Sequence, residues 1–221
     1  MPALALRNDD LRPTSRRAWL LVGPTGSGKS PLGELIARRG LWSRRCLHFD
    51  FGEKLRTAAY ADPSPAGLAA EEVEFLRGVL ARGTLLEDGQ FALAERILAA
   101  FLCQPGMEDD TVVVLNGLPR HIGQAQAIDR LLAIDEVIEL RCSPETVLQR
   151  ICRNAGGDRA GRRDDDEPLV RQKVELFSER TSPLVAHYRA RGARLCTIDV
   201  DTATTAEDVW QQLSARFSPF A

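Results

Sequence analysis

Residues 18–39 read AWLLV, then GPTGSGKS, then PLGELIARR. Ala18–Val22 is an apolar run that stops at a glycine, the pattern of a strand buried on both faces. Ser30–Arg39 has helical spacing, and Gly40 is placed to cap its C-terminus. Between them, Gly23-Pro-Thr-Gly-Ser-Gly28-Lys29-Ser30 matches G-x-x-x-x-G-K-[ST]. Glycines there let the backbone take positive φ angles and turn its N–H groups inward around an anion. The helix that follows adds its positive N-terminal end. Pro31 falls in the first helical turn, where its missing N–H costs little. Gly23, Pro24, Thr25, Gly26, Ser27, Gly28, Lys29 and Ser30 are therefore the expected cradle of a nucleoside triphosphate. Lys29 can reach its β and γ phosphates, and the Ser30 hydroxyl can ligate magnesium. The cradle alone does not separate GTPases, motors, ATP-driven machines and small-molecule kinases.

The rest of the chain alternates in the same way. Cys46–Asp50, Thr111–Leu115, Val137–Leu140 and Leu195–Val200 read as further strands. Helical spacing runs through 52–60, 68–81, 89–102, 124–133, 144–153, 169–191 and 205–217, with Pro183 set to kink or break the long one. This order predicts an α/β fold, a parallel sheet of about five strands with helices on both faces. Residues 1–17 read as an arm and 18–221 as one domain. Two insertions are expected to move: 51–82, interrupted by DPSPAG at 62–67, and the polar, Gly-rich 154–166.

The chain has 221 residues, 29 basic and 31 acidic, for a formal net charge of −2. A balanced charge argues against a generic nucleic-acid binder, which needs a basic face. No apolar run approaches the roughly 20 residues of a membrane span. The first residues lack the apolar core of a signal peptide, so the expectation is a cytoplasmic protein. Five cysteines at 46, 103, 142, 152 and 196 show no C-x-x-C pair and read as reduced core thiols; three scattered histidines give no zinc pattern. Only three of the basic residues are lysines: Lys29, Lys54 and Lys173. A lysine at a chemically meaningful position is thus less of a coincidence than an arginine.

Several short segments, in order and at matching spacing, resemble the adenylate kinase-like nucleoside monophosphate kinases, P-loop kinases of which this would be a short-lid member. Gly52-Glu-Lys-Leu-Arg56 resembles that family's G-D-x-L-R. Asn116-Gly-Leu-Pro-Arg120 with Gln124 is similar to D-G-[FY]-P-R-x-x-x-Q. Arg150-Ile-Cys-Arg153 resembles R-[LI]-x-x-R, Gly161-Arg-Arg-Asp-Asp165 resembles G-R-x-D-D, and Thr181-Ser-Pro183…Tyr188 resembles t-x-P-…-Y. The resemblance implies a P-loop kinase fold in which 51–82 binds the acceptor and 154–166 is a short lid. It implies transfer of the γ phosphate of Mg-ATP to a nucleoside monophosphate. It also implies roles. Arg56 and Arg120 would clamp the acceptor phosphate, with Phe51 and Gly52 beside it, and Gln124 would bond the acceptor base. Arg162 and Lys173 would stabilise the moving phosphoryl group, Arg150 would stack on the donor base, and Asp164 and Asp165 would anchor the closed lid. A monomer is the family expectation. The residue chemistry points the same way, because phosphoryl transfer needs two anions held in line amid positive charge.

Four residues depart from the family pattern. Asn116 stands where the family carries an aspartate that helps hold magnesium through water, and an amide is a poorer magnesium partner; weaker catalysis with Asn116 holding the ion through water, and another carboxylate serving instead, both stay open. Phe51 replaces a threonine or small residue, where a phenyl ring could narrow the pocket, stack on a base or join the core. Glu53 replaces Asp, and Lys173 replaces Arg, giving up bidentate geometry. AMP is the first-choice acceptor; CMP, UMP and a deoxynucleotide stay open. So do a P-loop kinase of a non-nucleotide metabolite and a nucleotide-binding regulator without useful turnover. On the residues alone, Arg150 and Gln124 could also be ordinary helix-surface groups.

Overall fold

Alternation within the first strand sorts the core into two layers. In the computed structural model β1 spans Arg17–Val22. Ala18, Leu20 and Val22 pack on one side, while Trp19 and Leu21 pack on the other. Successive residues of a strand point to opposite faces, so a continuous apolar run requires cover on both. The structure describes residues 16–61, 63, 64, 66–84, 86–157 and 167–216. Nearly all of the 1–17 arm and most of the expected lid, with Arg162, Asp164 and Asp165, lie outside them.

Four more strands complete the sheet: β2 (Cys46–Asp50), β3 (Val112–Asn116), β4 (Ala133–Arg141) and β5 (Arg194–Asp199). Their order is β2-β3-β1-β4-β5, all parallel. One layer combines α1 (Lys29–Arg39) and α9 (Ala206–Arg216) with Trp19, Leu21, Val112, Val114 and Ile138. The other combines α2 (Phe51–Tyr60), α3 (Ala70–Arg82), α4 (Phe91–Leu102) and α5 (Ile122–Ile128) with Leu20, Phe49, Val113 and Leu115. The chain then runs through α6 (Pro144–Cys152), α7 (Glu167–Leu176) and α8 (Pro183–Ala190). This is the P-loop kinase fold. In such a sheet the crevice lies at the carboxyl ends of the strands where the winding reverses, which here is beside β1.

Two readings of the sequence need correction, and the break expected at Pro183 is found just before it. The helix expected over 124–133 is α5, Ile122–Ile128, and Ala133 already belongs to β4. The Ala133 N–H bonds the Arg16 carbonyl beside β1, a partner distant in sequence that local spacing cannot reveal. The long helix expected over 169–191 is interrupted by a π turn, Phe177–Thr181, in which the Ser182 N–H reaches back five residues to Phe177 O. Pro183 explains it. Its ring collides with the carbonyl four residues back in a regular helix and it has no N–H to donate. Of the five cysteines, all free, Cys46 and Cys196 are buried but Cys103 and Cys152 are exposed. Cys103 follows the last turn of α4, beyond the buried stripe of Ala94, Ile97, Leu98 and Phe101. No helix among the described residues is long and apolar enough to cross a membrane.

One buried acid works against the fold. Glu136 lies in β4 between Trp19 and Arg194, and is fully buried. Burial pushes its carboxyl up to about 7, against the pull of Arg194 at 2.8 Å and with a further push from Asp135. Between its ordinary value of 4.5 and about 7 the folded chain keeps a proton that the unfolded chain has lost. Stability therefore falls as pH rises through that window and is level above it. Glu136→Gln is expected to flatten this slope and to add about 1–2 kcal/mol at pH 8. Urea denaturation at pH 5 and pH 8 checks it; an unchanged slope would refute it.

Candidate active site

The loop after β1 takes the conformation its glycines permit. Gly26 and Gly28 have φ of 76° and 98°, a region hostile to side chains. A Cβ on Gly26 would also sit 2.8 Å from Ile151 Cγ1, so α6 supports the loop from beneath. Lys29 folds back over this loop. Its Nζ donates to Gly23 O and Pro24 O, both at 2.7 Å. Gly28 caps α1 without a side-chain bond, and Pro31 sits in the first turn. Ser27 is buried within the loop.

Arg150 is not a surface residue. It is 3% exposed, and its guanidinium donates to Gly26 O, Asp201 O and Thr204 O at 3.0, 2.6 and 2.8 Å. It ties the loop to the segment between β5 and α9.

One cleft brings most of the candidate residues together. Gly23, Thr25, Gly26, Gly28, Lys29 and Ser30 line it together with Phe51, Gly52, Arg56, Arg120, Gln124 and Asn116, and Lys173 joins them from α7. The Lys173 stem lies against Gly83, 3.7 Å from where a Cβ there would be. Phe51 belongs to the core as well as to the wall. It is 5% exposed, and its ring stacks on Phe49 at 6.1 Å between centroids.

Arg120 follows a cis Leu118–Pro119 bond in the short β3–α5 connection. Its backbone is held from two directions. The N–H donates to Gln124 Oε1 at 2.8 Å, and the carbonyl accepts from the Thr181 hydroxyl at 2.8 Å. Enclosure pulls its guanidinium below the ordinary arginine value, with the Asp50 carboxylate acting in the opposite sense. It stays charged, because arginine starts far above any working pH. Gln124 is buried and also donates from Nε2 to Leu86 O at 2.8 Å. A primary amide has two donors and two acceptor lone pairs, so one of each is left over.

Asp50 is the residue that reading the sequence missed. It was legible only as the end of a strand. In the sheet it pairs in register with Asn116, and both stand at the mouth of the cradle. Its Oδ2 accepts from the Ser30 hydroxyl at 2.5 Å and from Asn116 Nδ2 at 2.8 Å. Its Oδ1 accepts from the Glu53 N–H at 3.0 Å and so caps α2. Burial alone would raise its pKa. The bonds from Ser30 and Glu53, with the charges of His48 and Arg56, outweigh that and hold it below the usual aspartate value. Thr181 was legible as part of a short segment, but not as the brace under Arg120.

No family model matches the chain. Curated relatives do. An adenylate kinase of Parvibaculum lavamentivorans is 33% identical over 189 residues, covering 81% of this chain and 82% of its own. One from Xanthomonas campestris is 33% identical over 186 residues, covering 81% and 89%. One from Xanthobacter autotrophicus is 32% identical over 203 residues, covering 86% and 95%. The chain belongs to the adenylate kinase-like nucleoside monophosphate kinase family. As a member of that family it is a phosphotransferase. A kinase of this kind must hold two anionic substrates end to end, and four basic side chains line the cleft described above: Lys29, Arg56, Arg120 and Lys173.

Proposed function

We propose that this kinase transfers the γ phosphate of ATP to AMP, and that it uses magnesium to do so. The observation that carries the reading is the convergence of Lys29, Arg56, Arg120 and Lys173 on one cleft whose lining includes a glycine-rich anion cradle. The relatives named adenylate kinase support AMP as acceptor. So does the unused half of the Gln124 amide. Adenine presents an amino donor beside a ring-nitrogen acceptor, and a primary amide can meet both at once.

The loop N–H groups and the N-terminus of α1 would hold the triphosphate. Lys29 would turn from the Gly23 and Pro24 carbonyls to the phosphates. Arg120, with its planar fork, would grip the acceptor phosphate bidentately and Arg56 would share its charge. Lys173, with Arg162 from the lid, would stabilise the charge on the moving group. Arg150 would fix the loop and offer its face to the donor base. Asp164 and Asp165 would hold the lid shut, because water left near the γ phosphate would compete as acceptor. Hard oxygen donors at the mouth of the cradle, Ser30 Oγ and Asp50 Oδ2, fit magnesium, with Asn116 beside them. When bound, the ion supplies neutralising charge to the phosphate oxygens.

The test is ADP release from Mg-ATP against AMP, CMP, UMP, deoxynucleotides, sugar acids and a blank without acceptor. Stimulation by AMP with two ADP formed per turnover supports the reading. Stimulation by a sugar acid alone, or ATP binding with no stimulation at all, would overturn it. Gln124→Leu is expected to raise KM for AMP about tenfold and to leave KM for ATP within about twofold, the loss of one or two hydrogen bonds to the base. Equal changes in both constants would assign Gln124 to folding alone.

A further inference from the structure

We propose that the carboxylate anchoring the magnesium of this kinase has moved from β3 to β2: Asp50 holds it, and Asn116 is its matched neighbour. The proposal rests on the kinase reading above. Asp50 and Asn116 are register partners at the ends of adjacent strands, so exchanging acid and amide between them moves the charge by only one strand spacing. Asp50 Oδ2, Asn116 Nδ2 and Ser30 Oγ form a closed triangle with sides of 2.8, 3.1 and 2.5 Å. Ser30 is the cradle hydroxyl suited to magnesium, and the oxygen nearest to it is the Asp50 carboxylate. Asn116 turns its amide nitrogen into the triangle. An N–H donor cannot ligate a cation, but it can hold a carboxylate in place.

The charge around the triangle gives a second reason. Asp50 is the sole acidic side chain among the described residues that line the cleft, against Lys29, Arg56, Arg120 and Lys173. A carboxylate beside a polyphosphate is repulsive unless a cation lies between them. Magnesium binds through one or two carboxylates completed by phosphate oxygens and water. A single acid at the mouth of an anion cradle has that composition. Its Oδ1 is held by the Glu53 N–H, which fixes the direction in which Oδ2 points.

The pairing also explains Asn116. An aspartate at 116 would place a second carboxylate within contact distance of Asp50, and two like charges there cannot both stay ionised without cost. A cation between them relieves that cost, so an aspartate at 116 beside Asp50 should raise the metal gain. With Asp50 already changed to Asn, an aspartate at 116 should restore the lost gain.

The experiment measures affinity for a non-hydrolysable ATP analogue by calorimetry on the full chain, with Mn2+ and with EDTA. The ratio of the two affinities is the gain due to the metal, and it needs no turnover. Asp50→Asn keeps an acceptor for the Glu53 N–H, so α2 remains capped. It is expected to leave the EDTA affinity unchanged or tighter and to cut the Mn2+ gain about tenfold or more. Asn116→Asp is expected to weaken the EDTA affinity and to leave the gain equal or larger. The double exchange, Asp50→Asn with Asn116→Asp, is expected to recover most of it. An undiminished gain in Asp50→Asn overturns the proposal, as does a double exchange that recovers none of the lost gain. A loss of EDTA affinity in Asp50→Asn also overturns it, because Asp50 would then be shaping the cradle itself. If the cycle holds but no monophosphate is phosphorylated, the acceptor reading fails and the metal assignment stands.

Discussion

Arg120→Ala is expected to bind ATP as the parent does, within about twofold, and to lose about 10²–10³-fold in kcat/KM for the acceptor. The expected size follows from the setting. Arg120 is half-buried, and its backbone is fixed at both its N–H and its carbonyl. A charged donor held in such a place acts in a low effective dielectric and needs no reorganisation when the phosphate arrives. Removal of one such preorganised donor typically costs on the order of 3–4 kcal/mol. Arg56, which is exposed on α2, should matter less. Steady-state kinetics with AMP varied at saturating ATP, beside titration with a fluorescent ATP analogue, reads both quantities. Full transfer by Arg120→Ala would mean that the segment 116–124 does not bind the acceptor.

Lys29→Ala is expected to go further and abolish use of the triphosphate, lowering kcat by roughly 10³-fold or more. Lys29 Nζ is satisfied by two carbonyls of the very loop that would receive the phosphates. Gly23 and Pro24 are buried, so the loss of these two bonds should lower the melting temperature by about 5–10 °C while the variant still folds. Activity and thermal melting together make the check. A folded, fully active Lys29→Ala would remove the basis for calling the loop a triphosphate cradle.

Reading the sequence went furthest where a function is written into consecutive residues. The loop at 23–30 could be recognised because its glycines, lysine and serine must stand at fixed offsets. The apolar runs of β1 and β3 are buried on both faces and so have few alternatives. Legibility failed where the deciding partner is distant. The start of β4 depends on the backbone beside β1, and the end of α5 retreats in consequence. Asp50 looks like any strand terminus until sheet register puts it next to Asn116 and Ser30. Asn116 alone read as a poorer magnesium partner. With Asp50 beside it, the same amide reads as half of an exchange. Arg150 shows the opposite error, since a charged residue on an amphipathic helix was open to a surface reading until three backbone carbonyls closed around it.

The π turn at Phe177–Thr181 has one more effect, and it concerns phase. Lys173, Phe177 and Thr181 all line the cleft, four residues apart each time. On an α-helix each residue advances about 100°, so every step of four overshoots a full circle by about 40°. Two such steps would carry the third side chain well off the line of the first. The wider turn advances less per residue and takes back much of that overshoot just after Phe177. The chain behaves like a gear with one tooth added: Lys173 above and Thr181 below are kept on a common meridian, so the helix that carries Lys173 into the cleft also props the backbone of Arg120.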